Sequence, residues 1–315
     1  MAGSSFQKRL EPASFFSFST SILPMNTFKS LLSIAFLFCL PLLLTFQLDA
    51  NQEPAPTKSA WRNLFNGKDL AGWDSYIGPL FSASGALQKD LPPLGLNNDP
   101  QKVFSVAMED GQNALHVSGE QFGGVSTQEE FENYHLQLQF KWGKLKWVPK
   151  KNSKMDSGVL YHANGAHGAD GGFWMQSQEY QVQEGDCGDY WGVAGGAFEV
   201  TVKKQGEKDW IYDPSGALLS FSEKSPEGRH CIRSADYEKP LGQWNTIDIY
   251  CLAGTSVHLI NGKVNMVLRN SQHIVGDKME PLTKGKIQIQ SEGAEVFYRN
   301  IKIRSIDKIP VALFK

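Results

Sequence analysis

The apolar positions of this chain fall in short alternating bursts, not in helical stripes. Segments 103–109, 114–118, 134–142, 158–162, 179–183, 198–202, 244–252, 256–260, 263–268, 286–290 and 296–303 are rich in Val, Ile, Tyr, Phe and Trp and are bounded by Gly, Asn, Asp or Pro, which predicts a strand in each. No segment carries an apolar stripe of helical period over three turns. Asn261-Gly262 stands between two alternating runs and predicts a two-residue hairpin. Many short strands without strand–helix alternation predict an all-β fold, a β-sandwich or jelly roll. The absence of a repeat at fixed period argues against a propeller.

The most informative burst is 177–183. Successive strand side chains point to opposite faces, so Glu179, Gln181 and Gln183 share one face while Tyr180 and Val182 share the other. The polar face holds only acid and amide, framed by Trp174, Tyr190 and Trp191. It reads either as a solvated outer face or as a face that grips hydroxyl groups. Segment 134–142 repeats the pattern, with His135, Gln137, Gln139 and Lys141 alternating against Leu136, Leu138, Phe140 and Trp142. Were it the neighbour of 179–183, Lys141 and Gln139 would join the same polar floor. Trp147, in a charged loop, is a candidate rim for a sugar ring.

Upstream of these strands the pattern changes. Met25, a candidate start, precedes a weakly basic segment and the run LLSIAFLFCLPLLLTF. An apolar stretch of roughly 16 residues fits a secretory signal better than a spanning helix of about 20. Residues 1–56 are therefore read as signal peptide and disordered linker, and 57–315 as a single jelly-roll domain exported to the periplasm or outside the cell. Phe38 before Cys39 is the wrong residue for lipid-anchor processing, so soluble export is expected. The formal charge of −2, with no basic block, argues against nucleic acid or an acidic membrane surface as partner. Export would leave Cys187, Cys231 and Cys251, of which Cys231 and Cys251 are the better-placed pair for a disulfide.

The chain offers no GxSxG elbow, no HExxH pair and no phosphate-cradling glycine loop, and no nucleotide cofactor is expected. It does offer His162, which closes segment 158–162 and is either structural or catalytic, and Glu179, a carboxylate that is either solvated or deliberately placed. His167, in the loop NGAHGADGG, reads as surface. Imidazole and carboxylate together suit a divalent metal, without a recognisable ligand spacing. Glu184, Asp186 and Asp189, separated by Gly185 and Gly188, read as turn formers and not as a glycosidase carboxylate pair.

Taken together, LFNGKDLAGW, YHLQLQFKWG, DSGVLYH, SQEYQVQEGDCGDYWGVAGG, GQWNTIDIYCLAG with VHLINGKV, and GKIQIQSEGAEVFYRNIKIR resemble the 3-keto-disaccharide hydrolase family, in the family's order from Leu64 to Arg304. The resemblance implies a concanavalin A-like jelly roll acting on glycosides whose sugar a separate dehydrogenase has already oxidised at C3. It also implies C2 proton abstraction, β-elimination of the C1 substituent and hydration of the enone. Such chemistry needs a base near C2 and a group, such as a divalent metal, that holds the enolate oxygen. Carried onto this chain, it makes His162 and Glu179 base or metal ligand in either order. Gln181, Gln183, Lys141 and Tyr161 become substrate-binding candidates, and Trp174 or Tyr190 the stacking aromatic. Some members carry a His in the block QSEGAEV, where this chain has Ser291, Glu292 and Gly293; Glu292 is then the substitute metal ligand. A non-catalytic, lectin-like carbohydrate-binding module is the alternative, since the same fold hosts both.

Overall fold

The structure is a computed structural model that describes residues 59–314. The segment read as signal and linker, 1–56, lies outside the described residues. Two antiparallel sheets face each other as a jelly-roll sandwich, and one short 3-10 turn, Val311–Phe314, is the helical element among the described residues. None of their helices is long and apolar enough to cross a membrane.

The nine-stranded sheet runs His230–Cys231, Tyr190–Val193, Gln176–Gln183, Asp156–Asn164, Lys284–Ser291, Gly123–Thr127, Trp73–Ile77, Gly95–Leu96, with Phe131–Glu132 added to Lys284–Ser291. The twelve-stranded sheet is centred on Thr255–Ile260, Asn245–Leu252, Tyr134–Lys146 and Ala294–Ser305. All eleven predicted strands are present. Asn261 and Gly262 join Thr255–Ile260 to Lys263–Val275 with φ of 51° and 75°, the left-handed pair that a tight hairpin requires.

Alternation decides what enters the core. Val159, Tyr161, Tyr180, Val182 and Tyr190 point inward from the nine-stranded sheet and join one buried cluster with Leu136, Leu138, Phe140, Ile247 and Ile249 of the other sheet. Each such fully buried side chain contributes about 1.5–3 kcal/mol of transfer free energy.

Several expectations are corrected here. Tyr134–Lys146 belongs to the twelve-stranded sheet, so Lys141 is not beside Glu179; it pairs with Glu109 and, at 2.8 Å, with Asp110. Tyr161 and Tyr190 face the core, the first bonded through its hydroxyl to His258 Nε2 at 2.9 Å, the second donating to Gln178 Oε1 at 2.7 Å. Cys231 and Cys251 lie in different sheets, and with Cys187 are buried free thiols. His167 is stacked on Tyr76, with ring centroids 5.3 Å apart.

His162 is the largest departure. Strict alternation from Leu160 would put it on the face of Glu179, but Asp156–Asn164 carries one extra residue at this point against both of its neighbours. His162 takes the extra step with φ of 53°. A bulge of this kind re-aims a side chain. The imidazole turns inward against Tyr134 and Tyr161, fully buried, with neither ring nitrogen hydrogen-bonded to a side chain or backbone group. Burial lowers its pKa to about 3, so it is neutral at physiological pH.

Candidate active site

The face of the nine-stranded sheet turned away from the core is organised by register. Glu179 lies opposite Leu160, Gln181 opposite Gly158 and Gln183 opposite Asp156. On the other side Glu179 lies opposite Trp191, and Trp191 opposite His230. Directly opposed residues point to one face, so an acid, two amides, an indole and an imidazole share a surface that sequence alone could not assemble.

A cavity of about 210 Å³ opens on this face, lined by Lys150, Asp156, Asp170, Trp174, Glu179, Gln181, Gln183, Trp191, Val193, Arg229, Gln290 and Glu292. Five of the expected residues therefore meet there, Trp174, Glu179, Gln181, Gln183 and Glu292. His162, Tyr161, Tyr190 and Lys141 do not. Trp147 lines a separate hollow of about 830 Å³ with Phe81 and Leu145, its indole N–H donated to Ser118 O at 2.9 Å.

Glu179 is 6 % exposed and has no hydrogen-bond partner among the described residues. Burial first, then the carboxyls of Glu292, Asp156 and Asp170, hold its pKa well above the usual carboxylate range, against a smaller opposing pull from Arg229. Gly158 makes room for it. A Cβ there would sit 2.3 Å from Glu179 Oε1 and 2.4 Å from Gln290 Oε1, so the acid and the amide crowd one point above a bare α-carbon. Gln290 Oε1 is itself buried without a donor.

Beside Glu179 is a second cluster. The Lys150 ammonium contacts both Asp156 and Glu292. Gln181 and Gln183 turn their amide N–H groups onto Asp156 at 3.2 and 2.6 Å, leaving their carbonyl ends free. Burial, with repulsion from Asp156, pushes Glu292 up to about 8 despite the lysine. Burial also raises Asp156, opposed by Lys150 and Gln183. Lys150 is itself held protonated, because Glu292 and Asp156 together outweigh its burial. At the far wall Arg229 bonds Asp170 and Glu223, both at 3.2 Å, and lies over Trp191.

These residues do not match the metal site expected from His162, Glu179 and Glu292. His162 is in the core, and the cation between Asp156 and Glu292 is the Lys150 ammonium. Among the described residues no group of three or more His, Cys, Asp or Glu side chains is arranged to hold a metal ion.

Lys150, Asp170, Arg229, Gln290 and His230 were not foreseen. Three of them come from loops far apart in sequence, and His230 from a two-residue strand with no periodic signal. Of the framing aromatics at 190 and 191, Trp191 and not Tyr190 faces the cavity. The parity of Tyr190–Val193 settles which of the two adjacent aromatics points out.

Two proteins from Parabacteroides distasonis, each provisionally named a glycosyl hydrolase, are among the similar solved structures. They share 19 % and 20 % identity, cover 78 % of this chain and 94 % and 100 % of their own, and have TM-scores of 0.41 and 0.43. A β-glucanase from Bacillus licheniformis is 9 % identical over 80 % of this chain and 100 % of its own, with a TM-score of 0.38. No curated protein matches. Residues 60–304 match the 3-keto-alpha-glucoside-1,2-lyase-like domain, and the chain belongs to that family.

Proposed function

We propose that the protein cleaves the glycosidic bond of 3-keto-glycosides, including 3-keto-disaccharides, with Glu179 as the base that removes the C2 proton. The observation that carries this reading is the state of Glu179: a buried carboxyl, without a hydrogen-bond partner among the described residues, opening onto a sugar-sized cavity. A carboxylate in that setting is a stronger base than one in water, because burial penalises its charge and proton uptake relieves the penalty. The ketone at C3 makes the C2 proton acidic, and the enolate that forms expels the C1 substituent. Water then adds to C1 of the enone. Lys150, fixed between two carboxyls, supplies a preorganised positive charge for the enolate oxygen. The carbonyl ends of Gln181 and Gln183 accept from sugar hydroxyls, and Trp174 walls the ring.

The substrate then comes from a separate sugar 3-dehydrogenase. The apolar run at 31–46 supports action outside the cytoplasm. Purified protein is expected to release aglycone from a 3-keto-glucoside and not from the unoxidised glucoside. Deuterium at C2 should slow the reaction. Release from both substrates alike, without an isotope effect, would point to direct hydrolysis; binding of the plain glucoside without turnover would point to a lectin-like module.

Gly158→Ala tests the floor of the cavity. The added methyl must displace the ends of Glu179 and Gln290, which are side-chain tips and not backbone. The variant is expected to fold, with a melting temperature within a few degrees of wild type, and to lose on the order of tenfold or more in kcat, as a small misplacement of a base does. Unchanged kcat would show that the position of Glu179 is immaterial.

A further inference from the structure

A second hollow of about 160 Å³ adjoins the cavity of Glu179, and the two share Gln181, Gln183 and Trp191 as lining. His230 stands in it. Its imidazole is stacked on Trp191, with centroids 4.2 Å apart and planes at 17°, and its Nε2 is 2.9 Å from Asp189 Oδ2. Asp189 is buried, and its other oxygen accepts from the Arg233 backbone N–H at 3.0 Å and from the guanidinium at 2.9 Å. A carboxylate held this firmly fixes a proton of His230 on Nε2 and orients the ring. Nδ1 has no hydrogen-bond partner among the described residues and is not sealed from solvent.

The register places this imidazole in line with the base. Glu179, Trp191 and His230 are directly opposed on three adjacent strands, so the α-carbons of Glu179 and His230 are about 10 Å apart on one face. Trp191 lies between them as a shared wall of the two hollows, with the imidazole stacked on it.

We propose that His230, positioned by Asp189, is the proton donor to the departing aglycone oxygen, an assignment that rests on the reaction given above. In the elimination Glu179 takes the C2 proton, the C2–H electron pair becomes the C1=C2 bond, and the C1–O pair leaves with the aglycone oxygen, which takes the proton from Nδ1 of His230. In the hydration neutral His230 takes a proton from water as its oxygen bonds to C1, and Glu179 returns its proton to C2. Both groups end in the state in which they began. The polar, acid-flanked turn that carries Asp189 is thus a positioning element as well as a turn.

The test is leaving-group dependence. 4-Nitrophenolate departs without protonation, whereas an alkoxide or a second sugar does not. For His230→Ala, kcat/KM on a 4-nitrophenyl 3-keto-glucoside should fall less than about fivefold, and on a 3-keto-disaccharide about 100-fold or more, the span of general acid catalysis. Residual nitrophenyl activity doubles as proof that the variant folds. Asp189→Asn should show the same selectivity in weaker form. Equal losses on both substrates, or no loss on either, would overturn the assignment of His230. Wild-type protein inactive on both would instead remove the elimination chemistry on which it stands.

Discussion

Glu179→Gln is expected to abolish turnover, lowering kcat at least 1000-fold, while making the protein more stable. The two effects have one origin. General base catalysis contributes about 10² to 10⁴ in rate, and an amide cannot accept the C2 proton. The wild-type carboxyl, however, sits buried among three other acids. Its native pKa is raised above the ordinary 4.5, so above that pH the folded protein holds a proton that the unfolded chain has released. Stability then falls as pH rises from about 4.5 toward the raised native value. Glutamine removes this penalty and brings an amide N–H near the buried Gln290 Oε1, which has no donor in the wild type.

The melting temperatures of wild type and variant should therefore coincide near pH 4.5 and separate steadily toward pH 8, with the variant higher. For a domain of this size each kcal/mol moves the midpoint by about 2–4 °C. Wild-type kcat/KM should rise with pH along a limb displaced well above the ordinary carboxylate range, and the variant should lack that limb. A Glu179→Gln protein that is less stable at every pH would mean the carboxyl is satisfied by contacts and is not held poised for proton transfer.

Period-two alternation made the architecture legible. It identified which residues of 134–142 and 179–183 face the core, because a one-residue slip would bury a row of amides. It could not show which strands are neighbours. Segments 134–142 and 179–183 carry the same signature, yet they belong to opposite sheets, so Lys141 and Glu179 look out from opposite sides of the molecule. Alternation also fails at bulges, and His162 was misplaced by a single extra residue that no local composition marks. Gly123 and Gly124 hide a fully buried strand for a related reason. No alternating apolar run marks it, and a Cβ at either glycine would collide with Tyr76 O or with the Gln288 side chain, so the glycines permit close packing within the sheet. Of the site, the part written on one strand was readable. The cations were not: Lys150 and Arg229 reach the cavity from loops whose course is set by the whole fold.

Lys150 is where that unreadable part matters most. Replacing it by Met leaves Asp156 and Glu292 facing each other without the ammonium that both contact. Removing one partner of a buried ion pair costs about 3–5 kcal/mol, and the partial exposure of the lysine side chain, 28 %, argues for a smaller loss here, about 1–3 kcal/mol. The loss depends on pH. Glu292, pushed up to about 8 even with the lysine present, is protonated in mildly acidic solution and needs no cation there. Destabilisation should thus be smallest near pH 5 and grow as pH rises through 8, opposite in sense to the gain expected from Glu179→Gln. Turnover should fall about 100- to 1000-fold, the loss typical when a preorganised oxyanion stabiliser is removed. Lys150→Arg separates the two roles. A planar guanidinium bridges two carboxyls at least as well as an ammonium, so stability should return nearly in full, while the altered position of the charge over the cavity should restore only part of kcat. Recovery of both to wild-type levels would mean that any cation between Asp156 and Glu292 suffices and that Lys150 holds the site together without addressing the enolate itself.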